Sequence, residues 1–170
     1  MTDDVNYVIE VQRDGDYAVN VALIQQAVAV VLAMHDIPAA SSLTVRLTEN
    51  DVVQALNGQF RAVDSVTDVL SFPSDDLFIP EGEGDEEAAY LGDLAVAYPY
   101  VVGQAQSLGF DLNELLALLA VHGTLHLLGY DHDSDHERAD MWDAQAEALD
   151  TLGISQALVP ALEDAPHDDQ

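Results

Sequence analysis

The spacing of apolar residues changes several times along the chain, and each change predicts an element. Val5 to Val11 alternates and carries β-branched residues, which predicts a strand. Asp14-Gly15 is a turn signal. Asn20 to His35 is a long apolar segment and predicts a buried helix that stops before Pro38. Leu43 to Leu47 alternates again and predicts a second strand, after which Thr48 can N-cap a short helix running to about Phe60. Val66 to Phe72 predicts a third strand, ended by Pro73. Residues 75–87 hold seven acids and three glycine or proline residues, the composition of an exposed loop. Leu91 to Ala97 predicts a fourth strand, and Pro99 suits the first turn of a helix that ends near Gly109.

Asp111 or Asn113 then caps a further apolar helix, and Asp111 with Glu114 has the form of a capping box. A last helix starts near Ser134. Its Met141, Gln145, Ala148, Leu149 and Leu152 follow one helical stripe, so this face packs inward apart from Gln145. The order is strand, helix, strand, helix, two strands, then helices. It predicts an α+β fold with a small mixed four-stranded sheet and about five helices, the helices gathered late in the chain. Residues 1–162 form a single domain on this reading. The acidic tail 163–170, which contains Pro166, is expected to be disordered.

Composition narrows the function classes. A chain of 170 residues with 49% hydrophobic residues can bury a sizeable core as one domain. The absence of cysteine excludes disulfides and any thiolate metal site. The acidic start Met-Thr-Asp-Asp lacks the basic region of a signal peptide. The longest apolar run, Ala27 to Met34, is far too short to span a bilayer. A soluble cytoplasmic protein is the expectation.

The charge is extreme: 32 acidic residues stand against four arginines and no lysine, a formal net charge of −28. Self-repulsion on that scale is costly at low ionic strength. Screening strengthens as the Debye length falls from about 10 Å at 0.1 M to about 3 Å at 1 M salt. The acids spread over many segments, which favours adaptation of the whole surface to salt over a dedicated patch for basic partners.

The candidate chemistry lies in H-G-T-L-H-L-L-G-Y-D-H, residues 122 to 132, which holds half of the six histidines. His122 and His126 are four apart in the apolar helix and so share one face, where their imidazoles can reach one metal ion. Continued as helix, the chain would rotate His132 by roughly 240° from His126 and carry it about 9 Å further along. Gly129 is placed to stop the helix in a left-handed C′ conformation, after which Tyr130-Asp131 can return His132 toward the other two. Three protein nitrogens leave a fourth tetrahedral position, the arrangement of a catalytic zinc. The alternative is a core helix with incidental histidines.

Zinc peptidases of the H-E-x-x-H type carry a glutamate where this helix has Gly123, so no side chain here matches their general base. The glycine leaves room for a bulky substrate, although close helix packing explains it equally well. Arg61 offers a guanidinium fork suited to phosphate; a surface arginine among many acids is the competing reading. Asp68 and Asp93 lie in strand-like segments, as residues on a solvated face or as supports for a ligand or for Arg61. Asp131 could orient a histidine ligand or complete the turn. His136 is a weak candidate for a fourth ligand; His35 and His167 look incidental.

In order, A-L-N-G-Q-F-R, T-D-V-L-S-F-P, L-G-D-L-A-V and V-H-G-T-L-H-L-L-G-Y-D-H resemble the YbeY family of metal-dependent endoribonucleases, over about Leu56 to His132. The resemblance implies an α+β fold with a zincin-like metal helix. It also implies one zinc ion (Zn2+) held by His122, His126 and His132, with Arg61 as the other functional position. It implies cleavage of single-stranded RNA in maturation of the 3′ end of 16S ribosomal RNA and in ribosome quality control, with the small ribosomal subunit and its proteins as partners. Val66 stands where the family usually has proline. The lack of lysine is the larger departure, because RNA binding draws affinity from Lys and Arg. Two other functions remain open on the sequence: an assembly factor that binds the ribosome without cutting, its zinc structural, and a zinc peptidase, against which Gly123 argues.

Overall fold

The structure is a computed structural model that describes residues 7–74, 89–130 and 134–156. Its elements are β1 (Val8–Arg13), α1 (Val21–Met34), β2 (Ser42–Thr48), α2 (Asn50–Arg61), β3 (Val69–Pro73), β4 (Tyr90–Ala97), α3 (Tyr98–Leu108), α4 (Leu112–Leu127) and α5 (Asp135–Leu152). The four strands form one sheet in the order β1-β2-β4-β3. β1, β2 and β4 run parallel, and β3 is antiparallel to β4 at the edge. The expected α+β class, four strands and five helices are all present.

The pattern of side chains explains the layering. In β2, Leu43, Val45 and Leu47 alternate inward and are buried, as a strand with one covered face requires. α4 is apolar on every side, and each residue from Leu115 to Leu125 is buried. Such a helix belongs in the centre of a domain. It packs against α1, α3, α5 and the β3–β4 half of the sheet.

The element ends follow local chemistry. Asn20 caps α1 by accepting a hydrogen bond from Leu23 N at 3.1 Å, Asp111 caps α4 through Glu114 N, and Ser134 caps α5 through Glu137 N. Each satisfies one amide that the helix leaves without a partner. Pro99 lies in the first turn of α3 as expected, and Gly109 closes that helix at φ +75°.

Several boundaries differ from the sequence expectation, β1 beginning at Val8 with Tyr7 outside the strand. Thr48 does not cap α2. It remains the buried last residue of β2, paired with Ala97, and Glu49 takes the cap position without a side-chain bond. β3 begins at Val69 rather than Val66, because the preceding residues are tied back to α2. Asn57 donates its amide to Ser65 O at 2.9 Å, and Val63 N donates to Asn57 O. β1 runs on to Arg13, two residues past the expected end at Val11. Residues 75–87 and the tail 163–170 lie outside the described residues, as do Asp131, His132 and His167.

The β3–β4 edge depends on one glycine. Gly92 has φ +141°, and a Cβ there would lie 2.4 Å from Phe72 O. No side chain fits at that distance, so the close approach of β3 to β4 requires glycine.

Candidate metal and nucleic-acid site

α4 carries His122 and His126 in its last two turns and ends where the sequence indicates. Leu128 is the C-cap and Gly129 follows at φ +105°. Gly129 N donates to His126 O and Tyr130 N donates to Leu125 O, both at 3.0 Å. This pair of bonds is the Schellman closure, which a left-handed glycine makes possible.

The two imidazoles lie side by side, ring centres 4.8 Å apart and planes at 85°. That separation lets both reach one ion at a zinc–nitrogen distance of about 2.0–2.1 Å. Each ring is fixed from behind. His126 Nδ1 is 3.0 Å from Tyr130 O, a carbonyl that can only accept, so Nδ1 carries a hydrogen, and in the neutral ring the lone pair is then on Nε2. His122 Nδ1 is 3.0 Å from Gln145 Oε1, which assigns the same tautomer. A neutral ring anchored through Nδ1 and donating through Nε2 is the form that binds a metal. The donor set therefore fits a zinc ion as far as it is described. Among the described residues no group of three or more metal-binding side chains comes together; the third candidate, His132, lies outside them.

Gln145 is the residue that sequence reasoning passed over. It interrupts the apolar stripe of α5, yet it is 0% exposed. Its Oε1 meets His122, while its Nε2 has no hydrogen-bond partner among the described residues. Burying an amide is costly unless its bonds are made. A polar residue held inside an apolar stripe was the available signal. Trp142, one turn before, sets its ring edge-to-face on His122 at 5.8 Å, and the Arg138 guanidinium lies 4.5 Å from the Trp142 ring centre.

Gly123 faces away from this chemistry. A Cβ on it would lie 2.9 Å from Leu94 Cδ2 and 3.0 Å from Cδ1, in the buried centre of β4. Close packing of helix on sheet therefore accounts for the glycine, and room for a substrate is not needed to explain it.

Arg61 ends α2 and is joined to the histidine helix through a single residue. Its Nη2 donates to Ser71 O at 2.8 Å. The buried Ser71 hydroxyl donates to Gly123 O at 3.2 Å. Ser71 thus holds the guanidinium with its backbone and α4 with its side chain, next to His122. The Arg61 side chain also lies over Phe72, Cζ 5.8 Å from the ring centre. A guanidinium has five donors, so one bond to Ser71 leaves others for an anion.

The remaining candidates separate clearly. Asp68 is buried, at 2% exposure, and not on a solvated face. Its Oδ1 accepts from Val69 N at 2.7 Å and from the Thr67 hydroxyl, while Oδ2 has no hydrogen-bond partner among the described residues. Burial raises its pKa to about 6 against the lowering effect of those bonds. It forms no ion pair with Arg61 among the described residues, whose bond goes to Ser71. Asp93 is exposed and bonded to the Tyr90 hydroxyl, so it belongs to the solvated face. His136 is exposed and sits 3.5 Å from Asp140 on its own helix, apart from His122 and His126. His35 is less incidental than expected. Its Nδ1 donates to Val31 O, and its Nε2 accepts from the Tyr130 hydroxyl at 2.9 Å. It thereby steadies the residue whose carbonyl holds His126.

Comparison with known proteins places this arrangement. The family model described as Endoribonuclease YbeY matches residues 10–153. Endoribonuclease YbeY of Chloroflexus aurantiacus is 40% identical over 149 residues, covering 87% of this chain and 97% of that protein. The protein of the same name from Roseiflexus castenholzii is 38% identical over 159 residues, with 91% and 98% covered. That from Rhizorhabdus wittichii is 41% identical over 157 residues, with 86% and 93% covered. The solution structure of TM1509 from Thermotoga maritima shares the fold, with a TM-score of 0.57 and 24% identity over 96% of this chain and all of that one. With the match running from β1 to the end of α5, and the histidine helix, Arg61 and the β3–β4 edge all inside it, this chain belongs to the endoribonuclease YbeY family.

Proposed function

We propose that this protein is a single-strand-specific, zinc-dependent endoribonuclease. It acts in the cytoplasm on the 3′ end of 16S ribosomal RNA and in ribosome quality control, in contact with the small subunit and its proteins. One zinc is held by His122, His126 and His132, and Arg61 holds the phosphate. The observation that carries this reading is the pair of Nδ1-anchored histidines, His122 buried and His126 partly buried, joined to Arg61 through Ser71. The relatives' shared name, Endoribonuclease, supports the substrate class.

When bound, zinc supplies a Lewis acid and a source of hydroxide at neutral pH, which suits a helix with no glutamate at position 123. The chain's own residues do the rest. Gln145 and the Tyr130 carbonyl hold both imidazoles in one orientation, with Nδ1 engaged and Nε2 left to face the ion, so no rearrangement is needed when substrate arrives. Arg61 donates to the non-bridging oxygens of a phosphodiester and stabilises the negative charge that grows there during attack. A backbone that must lie across Arg61 and the histidines has to be unstacked, and this favours unpaired RNA.

Incubation with unpaired RNA, duplex RNA and unstructured protein, each with and without chelator, tests the reading. The expected result is chelator-sensitive cutting of unpaired RNA alone, lost in His126→Ala together with tight zinc binding. Cutting of protein would favour a peptidase. Small-subunit association without any RNA cutting would favour a non-cleaving assembly factor. Retention of both activities by His126→Ala would show the site to be misassigned.

A further inference from the structure

We infer that Phe60 is a stacking platform for an unpaired nucleobase, placed beside the phosphate that Arg61 holds. This inference rests on the nuclease reading above and adds a base-binding subsite to it. Three large hydrophobic side chains are exposed among the described residues, Val8, Phe60 and Leu108, and Phe60 is the aromatic one, at 56% exposure. A lone exposed phenylalanine is ordinary. Here, however, it is held in place and has a cation beside it. Its ring meets Phe72 edge-to-face, centres 5.3 Å apart and planes at 68°. The Arg61 guanidinium lies over the same Phe72 ring at 5.8 Å. Phe72 thus touches both an exposed aromatic ring and a guanidinium from successive residues of α2, and Ser71 ties the guanidinium to the histidine helix.

The chemistry of the pair matches one unit of a nucleic acid strand. A nucleotide offers a planar base and a phosphate on adjacent parts of the same unit. A guanidinium takes the phosphate, and an exposed ring takes the face of the base. Every base has such a face, so the contact tolerates sequence. A base inside a duplex has both faces covered by its neighbours, so the contact requires an unpaired strand.

The charge of the molecule makes this subsite more important than it would be elsewhere. Proteins usually gain affinity for nucleic acid by releasing counterions through lysine and arginine. This chain has four arginines, no lysine and a net charge of −28. Stacking is not a charge–charge attraction and does not weaken as salt screens the phosphate. An acidic protein that binds RNA in concentrated salt has to draw affinity from such contacts.

The test is binding of a labelled short unpaired oligoribonucleotide to the full chain, followed by fluorescence anisotropy with metal chelated so that no strand is cut. Phe60→Leu keeps apolar bulk and removes the π-face, and should weaken binding by about 5- to 100-fold. The slope of affinity against salt should not change. Phe60→Trp should recover what the leucine variant loses. Arg61→Ala should instead reduce the salt slope by about 0.7, the value for one phosphate contact on a single strand. An oligonucleotide with one abasic position at the bound unit should bind the wild type more weakly and the Phe60→Leu protein no more weakly than the intact strand. Unchanged affinity in Phe60→Leu, or an abasic penalty that persists in it, would overturn the subsite. If the wild type cuts unpaired RNA in a chelator-sensitive way, that outcome leaves the nuclease reading standing. If the wild type neither binds nor cuts RNA, the nuclease reading itself fails.

Discussion

Asp68 shows what a single residue can cost the fold. Its carboxyl is buried with one oxygen lacking a hydrogen-bond partner among the described residues, and burial raises its pKa to about 6. In the unfolded chain an aspartate titrates near 3.9. The folded state therefore binds the proton more tightly, and stability falls as pH rises from about 4 to about 6, then levels off. A shift of this size is worth on the order of 2–3 kcal/mol. Asp68→Asn stays neutral at every pH. In urea unfolding it should be more stable than the wild type by up to about 2–3 kcal/mol above pH 7, with the gap closing toward pH 4. A gap of the same size at both ends of the range would show that burial of charge is not the cause.

Residue-scale features were legible in the sequence where type and spacing coincide, as at His122, His126 and Gly129. They were missed where one polar residue sits inside an apolar pattern. Asp68 shares its alternation with Leu70, and Gln145 shares its stripe with Met141 and Ala148. In both places the apolar neighbours indicated burial more truly than the polar side chain indicated solvent.

At the scale of elements, hydrophobic period gave all four strands and all five helices, because each buries one face or, in α4, every face. Boundaries depended on contacts that period does not encode. Thr48 stays in β2 because it pairs with Ala97, and the segment before β3 is drawn back by Asn57. Gly123 shows how closely elements approach here. Its missing side chain lets α4 lie on Leu94 of β4. Gly123→Val would force branched bulk into a filled core, so its stability in urea should fall by roughly 2–3 kcal/mol, in the usual range for overpacking. Unchanged stability would mean that α4 and β4 are not in close contact.

At the scale of the whole molecule, the strand order β1-β2-β4-β3 joins segments far apart in the chain, and local pattern carries no record of it. The site is likewise assembled from four elements. α2 brings Arg61, β3 brings Ser71, α4 brings the two histidines, and α5 brings Gln145 and Trp142. Sequence motifs singled out the histidines and Arg61 as candidates, while Ser71, which links them, became visible only when β3 was placed beside α4. The chain carries a formal net charge of −28, so concentrated salt should ease both the internal repulsion and the approach of RNA.

Metal coordination is the point on which the chemistry turns. X-ray absorption at the zinc edge, on full-length protein loaded with one equivalent of zinc, measures it directly. The account predicts one tightly bound zinc per chain with three nitrogen neighbours at about 2.0–2.1 Å and one oxygen, and the loss of one nitrogen and of tight binding in His132→Ala. A wild-type chain that holds no zinc tightly, or a His132→Ala chain with an unaltered spectrum, would contradict it.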